Sequence, residues 1–198
     1  MATILITGAF GQDGMLLSSL LCESKHQCIL LGRSAPNSLT KQFRLEQLMK
    51  FNWRLPPVIK FVAENDFEQL LVSIFREYSV DVIYHLAWTV DRNASITNFC
   101  DVGLPDIWYT SLLVKLAVTA NSETHIVLPS SSKINDSLTS GGQASYCSSY
   151  AQSKKMLLDL VASWLQGGCK LWCPILYTHD SILRGPEYLS KRITVATI

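Results

Sequence analysis

The chain has no surplus of charge of either sign: 17 lysines and arginines stand against 16 aspartates and glutamates in 198 residues. It has no run of like charge and no basic stripe interleaved with aromatics, so no nucleic-acid or membrane-surface partner is expected. No uninterrupted apolar stretch approaches membrane-spanning length. The first residues lead straight into a strand pattern without a basic segment and cleavable apolar core, and a cytoplasmic location is expected. The six cysteines (Cys22, Cys28, Cys100, Cys147, Cys169 and Cys173) lack the CxxC or Cys/His spacing of a zinc site. A domain of this size needs no disulfides, so ordinary buried thiols and no metal are expected. Low-complexity linkers are also missing. What is plentiful is apolar side chain, 48% of residues, enough for the core of one compact α/β domain.

Strand and helix patterns alternate. Strands are expected at 3–7, 27–31, 58–63, 80–86, 125–129 and 171–177, and helices at 14–24, 39–51, 67–78, 106–121 and 150–165. The stretch 88–105 has no clear period. Alternation of this kind implies a parallel, doubly wound sheet with right-handed crossovers, a Rossmann fold. Ligand then belongs at the carboxyl ends of the strands.

The segment Ile4-Leu5-Ile6-Thr7-Gly8-Ala9-Phe10-Gly11-Gln12-Asp13-Gly14 runs an apolar strand into three glycines spaced three apart, ahead of an apolar helix. The first glycine permits a sharp turn, the second a close backbone approach to a pyrophosphate, and the third tight helix–sheet packing. Phosphate would rest on the N–H groups that open the helix, so Gly8, Phe10, Gly11, Gln12, Asp13 and Gly14 are expected to cradle a dinucleotide. The same residues would also suit a tight turn with no ligand. The second strand ends in Arg33-Ser34, where an NAD-selecting domain would carry Asp or Glu for the ribose hydroxyls. A guanidinium and a hydroxyl suit a 2′-phosphate, so NADP(H) is favoured over NAD. After the third strand Glu64 could accept from the adenine amino group, with Asp66 as a competitor.

A second constellation is Tyr150-Ala151-Gln152-Ser153-Lys154, with Ser130-Ser131-Ser132 at the preceding strand end. Residues four apart share a helix face, so the Lys154 ammonium can stand by the Tyr150 phenol and favour its ionised form. A serine hydroxyl from that strand end would hold the substrate oxygen between them. Such a set moves a proton on or off an alcohol while hydride passes to or from nicotinamide.

These segments together resemble the extended short-chain dehydrogenase/reductases of the NAD-dependent epimerase/dehydratase type that modify nucleotide sugars, and most closely the GDP-mannose 4,6-dehydratases. The likeness rests on Thr7–Gly14, on Arg33-Ser34 with Arg44-Leu45-Glu46-Gln47-Leu48, on Ile83-Tyr84-His85-Leu86-Ala87, on Tyr150–Lys154, and on Ile175–Gly185. It implies that Ser131 is the serine that works with Tyr150 and Lys154, and that Leu86 and Ala87 flank the cofactor. It also implies that His179 and Arg184 line the nicotinamide and sugar side, and that a GDP-linked sugar is the substrate. Residues 1–178 would be the NADP-binding domain and 179–198 the start of a substrate lobe.

Three departures from the family pattern bear on function. The dehydratase strand end reads Ser-Thr-Ser-Glu, and its glutamate takes part in eliminating water. Here the position is Lys133, and an ammonium charged at neutral pH is a poor proton acceptor. A 4-keto-sugar reductase or epimerase needs no such glutamate. Thr178 replaces an asparagine, and Trp88 fills a place near the nicotinamide that the family gives to something smaller. The family also continues well past residue 198, which leaves a cofactor-binding domain with weakened catalysis, or a fragment, as a further reading. Finally, the helices 106–121 and 150–165 carry apolar residues on more than one face: Trp108, Tyr109, Leu112, Leu113, Leu116 and Ala117 on the first, Leu157, Leu160, Val161 and Trp164 on the second. The resemblance implies that such helices form a homodimer contact; packing on the sheet and on each other is the alternative.

Overall fold

The computed structural model describes residues 1–32, 39–50, 58–61, 67–89, 99–137, 148–185 and 192–193. In chain order the strands are β1 (Thr3–Thr7), β2 (Gln27–Gly32), β3 (Val58–Phe61), β4 (Val82–His85), β5 (His125–Val127), β6 (Ser130–Ser131), β7 (Leu171–Trp172) and β8 (Ile175–Leu176). The helices are α1 (Gln12–Cys22), α2 (Leu39–Lys50), α3 (Phe67–Glu77), α4 (Leu104–Ala120) and α5 (Ser149–Gln166). Six strands form one sheet in the order β3-β2-β1-β4-β5-β7, and every pairing in it is parallel. The order reverses between β1 and β4. That junction is the crevice in which open α/β sheets bind ligands.

Alternation along the strands sends side chains to two helical layers. Leu5, Ile29, Ile83, Ile126 and Leu171 share a core with Leu71 and Ile74 of α3, Leu113 and Ala117 of α4, and Leu157 and Val161 of α5. On the other face Ile4, Ile6, Cys28 and Leu30 meet Leu17 and Leu21 of α1. Truncating a fully buried one among them, such as Leu5, Ile29 or Leu113, to alanine costs about 2–5 kcal/mol through lost transfer energy and the cavity left behind. Helices on both faces make the sheet doubly wound, the expected Rossmann architecture.

Element boundaries differ from the expectation in instructive places. α1 starts at Gln12, not Gly14, because the chain completes its turn within Gly8–Gly11 and Gly11 serves as the N-cap residue. α4 starts at Leu104, with Pro105 in its first turn, where a proline's missing N–H is no loss. A single π-helical turn, Phe99–Gly103, leads into it. The expected strand 171–177 is two short strands in two sheets. β7 pairs with β5, the chain steps aside at Cys173-Pro174, and β8 pairs with β6 in a separate parallel ladder. The expected strand 125–129 is shorter, β5 ending at Val127, and β6 follows it at Ser130–Ser131. The thiols are less buried than expected: among the described residues only Cys28 is buried, Cys22, Cys169 and Cys173 are half-buried, and Cys100 is exposed. No described helix is long and apolar enough to cross a membrane.

Candidate active site

At the end of β1 the chain turns through Gly8, whose φ of 66° lies in the left-handed region that glycine adopts freely. A Cβ on Gly8 would also stand 2.5 Å from the backbone N of Ala87 and C of Leu86. Gly14 is equally tied, since its Cβ would collide with the Gly8 carbonyl and the backbone of Ala9. Gly11 differs: its Cβ would meet only the Gly8 oxygen, at 3.1 Å, and otherwise open space. Gly11 is thus the place where the backbone of the turn can be approached from outside. Behind it α1 presents its first-turn N–H groups, which have no carbonyl partner within the helix, and no side chain caps them. Phe10 turns its ring inward onto Gly32, Met15 and Leu48.

Next to this turn a cavity of about 260 Å³ opens, lined by Asp13, His85, Leu86 and Trp88, by Pro129–Lys133, by Tyr150 and Lys154, and by Leu176–His179 with Arg184. Of the residues singled out from sequence, it brings together Asp13, Leu86, Ser131, Tyr150, Lys154, His179 and Arg184. Gly8, Phe10 and Gly11 form the neighbouring turn, Gln12 and Gly14 open α1, and Ala87 follows β4 against Gly8; none of them lines the cavity. Arg33, Ser34, Glu64 and Asp66 lie outside the described residues. Lys133 is exposed and borders the cavity.

Lys154 is only 5% exposed. Its Nζ donates to the Pro129 carbonyl at 2.6 Å and lies 5.9 Å from the Tyr150 ring centroid. Burial pulls its pKa down to about 7, against smaller upward pulls from Cys173 and Asp106. Tyr150 is half-buried one helical turn earlier. On the strand side Ser131 Oγ accepts the Lys133 N–H at 3.3 Å, which leaves its hydroxyl proton to donate elsewhere. Ser130 is buried, with no hydrogen-bond partner at Oγ.

Beneath the cavity floor His85 is wholly enclosed, and its proton can be placed. Thr110 Oγ1 donates to the Asp106 carbonyl at 2.7 Å, so toward His85 Nε2, at 2.9 Å, it must accept. Nε2 therefore carries the hydrogen. Nδ1 accepts from Thr7 Oγ1 at 2.7 Å, and Thr7 Oγ1 in turn accepts the Ala87 N–H at 3.4 Å. The ring is neutral, and burial first, then the Lys154 charge, push its pKa down to about 3. This chain of contacts joins β1, β4 and α4 under the crevice. The sequence motifs contain His85 and Thr7 but give them no role, and Thr110 belongs to none of them; its partner His85 lies 25 positions away.

The segment after β8 straps the glycine turn. His179 Nε2 meets Asp13 Oδ1 at 2.9 Å, and its Nδ1 meets the Tyr177 carbonyl at 2.7 Å. Those two acceptors raise the His179 pKa, the Tyr177 carbonyl most. Arg184 reaches Gln12 Oε1 at 3.4 Å, and Leu183 is fully buried with Phe10, Met15 and Leu48. Arg44 of α2 ties both sides by donating to the carbonyls of Phe10 at 3.0 Å and Leu183 at 3.2 Å. Arg44 is a further residue of the site that motif reading left without a role.

Solved structures share this architecture at low identity. The UDP-glucose 4-epimerase of Stenotrophomonas maltophila matches with a TM-score of 0.65 and 18% identity, over 89% of this chain and 52% of its own. The UDP-glucose 4-epimerase of Brucella ovis matches with a TM-score of 0.68 and 12% identity, over 90% and 52%. An oxidoreductase from E. coli gives a TM-score of 0.63 and 20% identity, over 92% and 78%. The chain thus spans about half the length of the epimerases it matches. No curated protein matches the sequence. The family described as GDP-mannose 4,6 dehydratase, however, matches residues 5–198, nearly the whole sequence, and to that family the chain belongs.

Proposed function

We propose that the chain is the cofactor-binding part of an NADP(H)-dependent enzyme that moves hydride at C4 of a nucleotide sugar. The observation that carries this is the meeting of Ser131, Tyr150 and Lys154 in one cavity, beside a glycine turn at the sheet's switch point. The turn suits a dinucleotide. Its N–H groups open toward Gly11, and a Cβ at Gly11 is where a pyrophosphate would need the space. Gly8, Phe10, Gln12, Asp13, Gly14, Leu86 and Ala87 frame that position, and Arg33 with Ser34 would take the 2′-phosphate. Bound there, nicotinamide would supply a two-electron acceptor or donor.

In this reading Tyr150 takes the proton from the sugar O4 hydroxyl as the C4–H bond gives up its electron pair. In the reverse direction Tyr150 returns that proton. Ser131 donates its hydroxyl proton to the same oxygen, and Lys154 holds positive charge behind the phenol. His179 and Arg184, which line the same cavity, would face the nicotinamide and sugar side. Residues 179–198 would begin the lobe that closes over a GDP-linked sugar such as GDP-mannose. A dehydratase is the reading nearest to the family. Lys133, bordering the cavity in place of a glutamate, favours the second reading, a 4-keto-sugar reductase or epimerase. We also propose a homodimer through α4 and α5. Their inner residues are spent on the core, yet Leu104, Trp108, Met156 and Leu165 stay exposed on the outer faces. Sedimentation of Trp108→Glu as a monomer beside a dimeric wild type would support this, and a monomeric wild type would end it.

Two assays test the function. In fluorescence titrations NADPH should bind more tightly than NADH, and Arg33→Ala should remove that preference. Incubation with GDP-mannose and NADP+ should then give a 4-keto product if water is eliminated, whereas oxidation without water loss would identify the second reading. Failure to bind either cofactor would end both.

A further inference from the structure

Trp88 takes no part in the chemistry above, yet it is fixed from several sides. Its Nε1–H donates to Ser153 Oγ at 3.1 Å, and Ser153 Oγ donates to the Tyr150 carbonyl at 2.9 Å. The indole is thereby tied to the turn of α5 that carries Tyr150 and Lys154. Its edge meets the His85 ring at 6.3 Å between centroids and 71° between planes. Its face lies 3.6 Å from Lys154 Nζ.

That contact answers a need. A buried ammonium has three donors and no bulk water, and Pro129 satisfies one of them. The negative face of an indole attracts a cation, more so where water is excluded. Other charged or titratable groups face Lys154 as well: Asp106 from α4, Cys173 between β7 and β8, His85 from β4 and Tyr150 on α5 itself. The Asp106 carboxylate, however, accepts the Thr89 N–H at 2.8 Å and the Thr89 hydroxyl at 3.2 Å, and His85 is neutral. Among the described residues no formal counter-ion touches Nζ, and Trp88 stands in that place.

We propose that Trp88 is a positioning residue of the site: its indole face holds the Lys154 ammonium against the Pro129 carbonyl beside Tyr150 and keeps it charged in a dry cleft. The catalytic consequence rests on the hydride-transfer reading; the contact itself does not. Because burial already brings the Lys154 pKa to about 7, a modest change in its surroundings alters the charged fraction at neutral pH. A smaller residue at position 88, such as the family carries, would leave the ammonium to solvent or to ligand instead.

The test is a ¹³C NMR titration of protein labelled at lysine Cε, without cofactor, the Lys154 resonance being the one absent from Lys154→Met. Trp88→Leu keeps apolar bulk but removes the π face, and should lower the Lys154 midpoint by about one unit. Trp88→Phe should lower it less. An unchanged or raised midpoint in Trp88→Leu, with the other lysine resonances in place, would overturn the proposal. If Trp88→Leu does not fold, Trp88→Phe decides: a lowered midpoint supports the proposal and an unchanged or raised one overturns it. The titration uses neither cofactor nor sugar, so its outcome is separate from that of the hydride-transfer reading, which depends on turnover by the wild-type chain.

Discussion

His85 is held at the floor of the cavity by hydrogen bonds at both ring nitrogens. Its two nitrogens are committed, one to accept from Thr7 and one to donate to Thr110, and both threonines have a defined second partner. Thr110→Val keeps shape but strands the Nε2–H in a buried place. The expected cost is about 1–3 kcal/mol, the desolvation of an unpaired donor. Chemical denaturation of wild type and variant would measure it, and a loss below about 0.5 kcal/mol would mean water or a rearranged Thr7 takes over. The ring should also show the Nε2–H tautomer by ¹⁵N NMR and keep it down to about pH 4, since its pKa lies near 3. None of this was legible in the sequence, because three elements far apart in the chain supply the partners. The Tyr150/Lys154 pair was legible because helix periodicity alone places residues four apart on one face. Lys154 as a buried base under an indole was not, for burial is a property of the packed sheet.

At the scale of elements, β1, its turn and α1 could be read almost whole, since strand, glycine and helix signals are local and agree. The break between β7 and β8 could not. Pro174 lies inside an apolar run that reads as a single strand, and the separation into two ladders depends on β5 and β6 diverging beside it. The glycine turn yields a prediction that separates folding from binding. Gly14→Ala forces a Cβ into the Gly8 carbonyl and Ala9 backbone, so the variant should lose several degrees of thermal midpoint, or fail to fold, with or without cofactor. Gly11→Ala meets a single atom at 3.1 Å. It should keep most of its stability and still lose NADPH affinity at least tenfold, because the methyl group occupies the approach to the turn. Thermal melts beside NADPH titrations would show the pattern. Equal effects of the two substitutions on stability would mean that Gly11 serves the fold alone.

For the whole molecule, the buried bases tilt the pH profile of stability toward alkali. His85 is about 3 folded against an ordinary 6.5, so between those values the unfolded chain binds the proton and the folded chain does not. Stability is therefore lost as pH falls through that window. Lys154 is about 7 folded against 10.5, and by the same sign stability rises with pH from 7 toward 10.5. Below pH 7 Lys154 is charged in both states, and its burial then opposes folding by something on the order of 5 kcal/mol. Cys28 and Cys173 act oppositely: burial raises both thiols above 9.0, so the folded chain holds protons that the unfolded chain releases, and stability declines once pH passes 9. Together His85 and Lys154 favour the folded chain as pH rises, and the two thiols oppose it above about pH 9. Lys154→Met should raise the thermal midpoint at pH 6 and converge on wild type by pH 10.5. Two melting profiles that run parallel across that range would show that Lys154 keeps an ordinary, solvated ammonium in the folded chain. Convergence would show a base buried at the expense of stability, where the proposed proton transfer needs it.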